Sequence, residues 1–289
     1  MRILDKIIAV CTLTIVSFIN YAQNDTSLLW EVTGINLEQP SYIFGTIHMI
    51  CEDDYVMTNV IQNKLENADA FYAEIDFSNA ENIAVMQQSM MSETPLSQRI
   101  NSEQYQTLKR LLDEVVDLDI AQLENLTDAA IVSLVTFKSF PCTDFKMYEL
   151  ELLQTATATD KKTGGLETAA EQMELLGKTV GINTVFEMLT DLKNDGFKTT
   201  KEMVELYTKQ DVQGLYNYMK KSSYMIDEVY NQMLTKRNHN WISTMHDLML
   251  NQSVFFAVGA GHLKGANGLI QLLKAHGYNV KPVNIFEKH

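Results

Sequence analysis

Apolar residues fall in short runs at both ends of the chain and at helical spacing through its middle. Leu28-Leu29-Trp30-Glu31-Val32 and Ser41-Tyr42-Ile43-Phe44 flank a polar stretch with Gly34, Asn36 and Pro40. Turn-forming residues between two runs of β-favouring ones predict a hairpin. Ala70-Phe71-Tyr72-Ala73-Glu74-Ile75 predicts a third strand, reached through a helical stretch that keeps Val60, Ile61 and Leu65 on one face. Near the carboxyl end come Val254 to Val258, a Gly-rich turn, a helix with Leu269, Leu272 and Leu273, a stop at Gly277, and a last run from Asn279 to Val283. This is a strand, helix, strand unit, which predicts parallel strands whose carboxyl-end loops face a ligand crevice.

From about Ser78 to Met249 the periodicity is helical, and the pairs Ser78/Glu81, Thr168/Glu171 and Thr199/Glu202 have the capping-box spacing of helix starts. Lys161 to Glu167 interrupts this region as a brief strand-like segment that ends directly before Thr168, so Glu167 falls at a strand-to-helix junction. The expected fold class is therefore α/β. A central mixed, partly parallel sheet is built from the N- and C-terminal parts, with a large helical middle region over about 79–250. Four prolines and no Gly/Ser-rich linker favour one domain over residues 24–289.

The first residues change the picture of where the protein works. Arg2 and Lys6, an apolar run from Ile7 to Ile19, and Tyr21-Ala22-Gln23 read as a signal peptide over residues 1–23. The run is shorter than the roughly 18–20 residues that span a bilayer. An exported, periplasmic or extracellular protein without stable membrane insertion is expected. A formal net charge of −14 argues against nucleic-acid partners, and its spread through helical stretches reads as a solvated surface. Cys51 and Cys142 remain after the leader. They are expected to pair, closing a loop of about 90 residues worth on the order of 4 kcal/mol, with two buried thiols as the alternative.

Two Gly-x-x-His motifs carry the candidate chemistry: Gly45-Thr46-Ile47-His48 and Gly259-Ala260-Gly261-His262. With 13 glycines and 6 histidines, chance supplies about a quarter of one such match. Each motif follows an apolar β-like run, which places both imidazoles at strand ends. Imidazole ligates metals when neutral and exchanges protons near neutral pH. Glu74, ending the third strand, and Glu167 are the carboxylates best placed to share the crevice, and either suits a ligand or a base. Two histidines and a carboxylate would leave a position for water on a bound ion, lowering that water's pKa to about 7 with zinc. Asp76 and Glu171 read as a turn carboxylate and a cap. Arg237-Asn238 and Tyr148-Glu149 read as solvated by default; an arginine turned inward would instead hold a substrate carboxylate or oxyanion. Gly-x-Ser-x-Gly, His-Glu-x-x-His and the phosphate-binding glycine loops are absent, which removes the commonest hydrolase and nucleotide classes.

In order and spacing the chain resembles the TraB/GumN family, which includes the TIKI metalloproteases and pheromone-shutdown proteins. The resemblance rests on Tyr42 through His48, Ala73-Glu74-Ile75-Asp76, Gly165-Leu166-Glu167-Thr168 with Glu171-Gln172, Arg237-Asn238, and Val258 through Leu263. It implies a fold related to the erythromycin esterase and ChaN-like group. It also implies metal-dependent peptidase activity, with manganese or cobalt, centred on His48, Glu74 and His262. The combined expectation is an exported hydrolase of peptides or proteins that uses a divalent ion (Mn, Co or Zn). In it His48, Glu74 and His262 hold the ion or its water, Glu167 is the second carboxylate, and Arg237 orients substrate. Two readings stay beside it: a metal-free esterase-like hydrolase with His48 as general base oriented by Glu74, and a protein that captures a peptide without cutting it.

Overall fold

The computed structural model describes residues 26–34, 36–222 and 225–286; the signal-peptide segment lies outside the described residues. The predicted hairpin forms, with β1 (Leu29–Thr33) antiparallel to β2 (Ser41–Thr46) and Trp30 opposite Ile43. Gly34 at φ 98° and Asn36 at φ 60° turn the chain between them. A short ribbon pairs β3 (Met49–Cys51) with β5 (Phe145–Met147). The main sheet is completed by β4 (Ala70–Ala73), β6 (Lys162–Gly165), β7 (Val254–Gly259) and β8 (Asn279–Val283), in the order β6-β4-β7-β2-β1-β8.

The expected class, an α/β fold with a mixed, partly parallel sheet, is what forms, and the sheet is mostly parallel. β6, β4, β7 and β2 run parallel to one another, and β1 alone opposes its neighbours. β7 and β8 share a direction, yet β2 and β1 lie between them. β7 in turn inserts between β2 and β4, so strands from the two ends of the chain interleave. β2 and β4 are buried at every position, as the covered centre of a parallel sheet requires.

Local capping followed the spacing at one of three sites. Thr168 and Glu171 form a reciprocal capping box. At Ser78/Glu81 the cap is Asn79, whose side chain accepts from the Glu81 N–H, while Ser78 is drawn away to bond Asp76. At Thr199/Glu202 the helix already starts at Lys198 after Phe197, leaving Thr199 inside the first turn.

The main core packs helices on the sheet around Trp30, Phe44, Phe255, Tyr148, Tyr207 and Trp241. A second cluster, including Leu108, Leu112, Ile131, Val135, Val185 and Leu189, is internal to the helical middle region. Cys51 and Cys142 are bonded with their Cα atoms 5.9 Å apart, tying the end of β3 to the segment that leads into β5.

Candidate functional site

The four parallel strands end in register. Thr46 lies opposite Gly259, and Ala73 opposite both Ala257 and Gly165. Each strand therefore delivers one residue to the same edge: His48 after β2, Glu74 after β4, Glu167 after β6 and His262 after β7. Arg237 enters from the helix Arg237–Met249, directly after a π-helical turn over Asn231–Lys236. All five expected site residues meet here.

Arg237 is the hub. Its Nη2 donates to Glu74 Oε2 at 2.5 Å and to Glu167 Oε1 at 2.6 Å. Nε lies 3.1 Å from both Glu167 oxygens, and Nη1 donates to the Met233 carbonyl at 2.9 Å and to His262 Nε2 at 3.2 Å. The five N–H donors of a guanidinium are thus all used inside the protein. The solvated reading of Arg237-Asn238 is corrected: the two are 7% and 2% exposed. Their helix turns this face to the sheet edge because two carboxylates there compensate the arginine's charge. With every donor taken, Arg237 holds protein groups and has none left for a substrate.

The surroundings fix this arrangement. Gln172 Nε2 bridges Glu74 Oε2 (3.0 Å) and Glu167 Oε1 (2.9 Å), and the Gly259 N–H donates to Glu74 Oε1 at 2.8 Å. Trp241 donates from Nε1 to Glu167 Oε2 at 3.2 Å, lies under the Arg237 guanidinium at 4.7 Å and packs on the His262 ring at 4.5 Å. Burial pushes the Glu74 pKa up, but the Arg237 guanidinium, the His48 ring and the Gly259 N–H outweigh it and hold Glu74 well below the usual carboxylate range. Burial also raises Glu167, and there bonding to Arg237 only partly offsets it.

The two histidines stand in opposite electrostatic settings. His262 Nδ1 is 2.6 Å from Asn238 Oδ1, so Nδ1 carries the hydrogen and Nε2 accepts from Arg237. Asn238 is held by donating to the carbonyl of Asn267 at 2.7 Å. Burial pushes the His262 pKa down to about 3 against the pull of Glu74, so the ring is neutral. His48 sits at the open side, with φ 26°, a backbone conformation that costs an L residue energy and recurs at functional sites. Its side chain is 66% exposed, and Nδ1 lies 2.9 Å from Glu149 Oε1. The Glu149 carboxylate beside it raises the His48 pKa above the ordinary imidazole value.

Glu149 is the site residue that the sequence reading left as solvated; it is 5% exposed and also accepts from Thr46 Oγ1 at 2.7 Å. The ribbon of β3 and β5 puts it there, reinforced by the Tyr148 N–H donating to the His48 carbonyl at 3.0 Å. Its one sequence signal was its place just past a short strand and in the first turn of the helix Tyr148–Ala158.

Gly259 marks the point of convergence. A Cβ there would stand 3.3 Å from Glu74 Oε1, 3.7 Å from His262 Cδ2 and 3.7 Å from His48 Nε2. His48, Glu74 and His262 thus line one small cradle, open because residue 259 has no side chain. The residue types suit a divalent ion, but their arrangement does not. The His262 Nε2 lone pair is engaged by Arg237, and both Glu74 oxygens accept from protein donors. Among the described residues no group of three or more His, Cys, Asp or Glu is placed to hold a metal. Asp76 and Glu171 take the turn and cap roles expected of them.

A profile of the TraB/PrgY/gumN family matches residues 28–282. Among characterised relatives, the chain is 23% identical over 315 residues to Metalloprotease TIKI1 of Xenopus tropicalis, covering 88% of this chain and 61% of that protein. It is 22% identical to Metalloprotease TIKI2 of Danio rerio, with 88% of this chain and 60% of that protein covered. Against a Metalloprotease TIKI homolog of Nematostella vectensis it is 22% identical, with 90% and 68% covered. The chain therefore spans about three fifths of the length of the first two.

Proposed function

The chain belongs to the TraB/PrgY/gumN family, and from that premise we propose that it is an exported hydrolase that cleaves peptides or proteins in the crevice beside Gly259. The observation that carries this reading is the convergence of His48 Nε2, Glu74 Oε1 and His262 on one cradle. His48 is the proton donor. Anchored through Nδ1 to Glu149, it keeps a proton near neutral pH and presents Nε2 to a substrate at the open side. A carbonyl oxygen or leaving nitrogen within about 3 Å of Nε2 would receive that hydrogen bond and then the proton. Glu74, held ionised, accepts a hydrogen bond from the attacking water on Oε1, and the proton that water loses returns to His48, which is thereby restored as donor. Arg237 is a positioning residue that holds Glu74 by donating to its Oε2, with His262 Nε2 3.5 Å from Oε1.

The name metalloprotease implies an ion in the relatives that bear it. A divalent ion on His48, Glu74 and His262 of this chain would first have to displace Arg237, so no step here is routed through one. Export is supported by the leader pattern of residues 1–23 and by the Cys51–Cys142 bond, which persists in oxidising compartments. Among the described residues no helix is long and apolar enough to cross a membrane.

The test is mass spectrometry of a mixed peptide library incubated with the mature protein, with chelator and with added Mn²⁺, Co²⁺ or Zn²⁺. Cleavage that disappears in His48→Ala supports the hydrolase. Only intact peptides under every condition would sink it, and retained intact peptide would point to capture without cleavage.

A further inference from the structure

The donors around Arg237 have the composition of a cation site: two carboxylates and a neutral imidazole nitrogen, at 2.5 Å (Glu74), 2.6 Å (Glu167) and 3.2 Å (His262). We infer that Arg237 is the resident cation of this site, and that its guanidinium fills the position where a divalent ion would meet Glu74 and His262, so that arginine and metal exclude each other. Three features of this chain support that. First, metal ligation and the observed bond compete for the same lone pair on His262 Nε2, because Asn238 fixes the hydrogen on Nδ1. Second, an ion bound to Glu74 and His262 would stand at contact distance from the guanidinium that already bonds both, and the repulsion between the two cations opposes holding them together.

Third, the position of Arg237 is built and is not the resting place of a mobile side chain. The preceding π-helical turn leads into Arg237, and the Met233 carbonyl of that turn caps Nη1. Trp241, one turn further on, supports the guanidinium face while its indole N–H anchors Glu167. Such π-turns are rare and concentrate at functional positions. Which bond the crevice cleaves does not enter this inference.

The experiment is metal binding, read apart from activity. Mature wild-type protein, Arg237→Gln, His262→Ala and the double variant Arg237→Gln/His262→Ala are each dialysed against Co²⁺, Mn²⁺ or Zn²⁺ and then against metal-free buffer. Bound metal is measured by elemental analysis, and Co²⁺ ligand geometry by its visible absorption. Wild type is expected to retain no more ion than His262→Ala, which reports the background of an acidic surface. Arg237→Gln is expected to retain about one equivalent, bound about 100-fold more tightly than by wild type, and the double variant to lose it. One equivalent held by wild type and lost in His262→Ala overturns the inference, and so does a folded Arg237→Gln that binds no better than wild type. If Arg237→Gln does not fold, the comparison of wild type with His262→Ala decides alone.

Discussion

Replacing Glu74 by glutamine changes one oxygen to an amide nitrogen at constant shape, and the structure allows its cost to be worked out. Both carboxylate oxygens only accept: Oε1 from the Gly259 N–H at 2.8 Å, and Oε2 from Arg237 Nη2 at 2.5 Å and Gln172 Nε2 at 3.0 Å. A glutamine can turn its amide either way, and in each orientation its NH₂ faces a donor. The side chains of Glu74 and Arg237 are 6% and 8% exposed, so water cannot take over the lost bonds. One charge-assisted hydrogen bond is worth about 1.5–3 kcal/mol, and breaking a buried ion pair from one side costs about 3–5 kcal/mol. Glu167 still faces Arg237, which places Glu74→Gln near the lower end, at about 3 kcal/mol. For a domain of this size that lowers Tm by roughly 6–12 °C. Urea unfolding followed by circular dichroism measures it, with an unchanged m value as the check that the same transition is compared. Glu171→Gln is the internal control, because that exposed carboxylate belongs to a capping box and its loss costs no more than about 1 kcal/mol. A loss under about 1 kcal/mol in Glu74→Gln would refute an ionised carboxylate pinned by three converging donors.

Removing the bridge with Cys51→Ser/Cys142→Ser opens a loop with a sequence separation of 91. That is expected to cost about 4–5 kcal/mol and to loosen the ribbon that sets His48 against Glu149; an unchanged unfolding midpoint would contradict it. In Glu149→Gln the His48 ring, followed by NMR, should titrate below the wild-type ring, toward the ordinary 6.5. Because the folded-state pKa is the raised one, the stability this pair adds is complete below about pH 6.5 and is lost as pH rises through the raised folded-state value. The pH-dependent gap between wild type and Glu149→Gln should close over that window, and a constant gap would count against the pairing. Gly259→Ala puts a methyl 3.3 Å from Glu74 Oε1, at the point shared by both histidines. It is expected to destabilise by about 1–3 kcal/mol and to cut peptide cleavage more than ten-fold; wild-type activity in that variant would mean substrate does not enter the cradle.

What the sequence determined by itself was local. Alternating and continuous apolar runs marked β1, β2, β4, β7 and β8 to within a few residues, because strand formation answers to neighbours two positions away. The two Gly-x-x-His motifs and the placement of Glu74 and Glu167 at strand ends put four side chains at one sheet edge. Pairing of Cys51 with Cys142 was likewise legible from their number and context. Cap spacing was a weaker guide, since Asn79 and Phe197 competed successfully for the starts assigned to Ser78 and Thr199.

The tertiary structure decided the rest. The insertion of β7 between β2 and β4 joins residues some two hundred positions apart, and no local pattern encodes which distant strand becomes a neighbour. That insertion brings His262 to Glu74. Arg237 and Glu149 looked like solvated residues because their charge, taken alone, favours water; only the converging partners, Glu74 and Glu167 for one and His48 for the other, make burial affordable. Charge burial is a pairwise property of groups that the fold assembles, and so the sequence could name the residues of this site without revealing that its cation is an arginine.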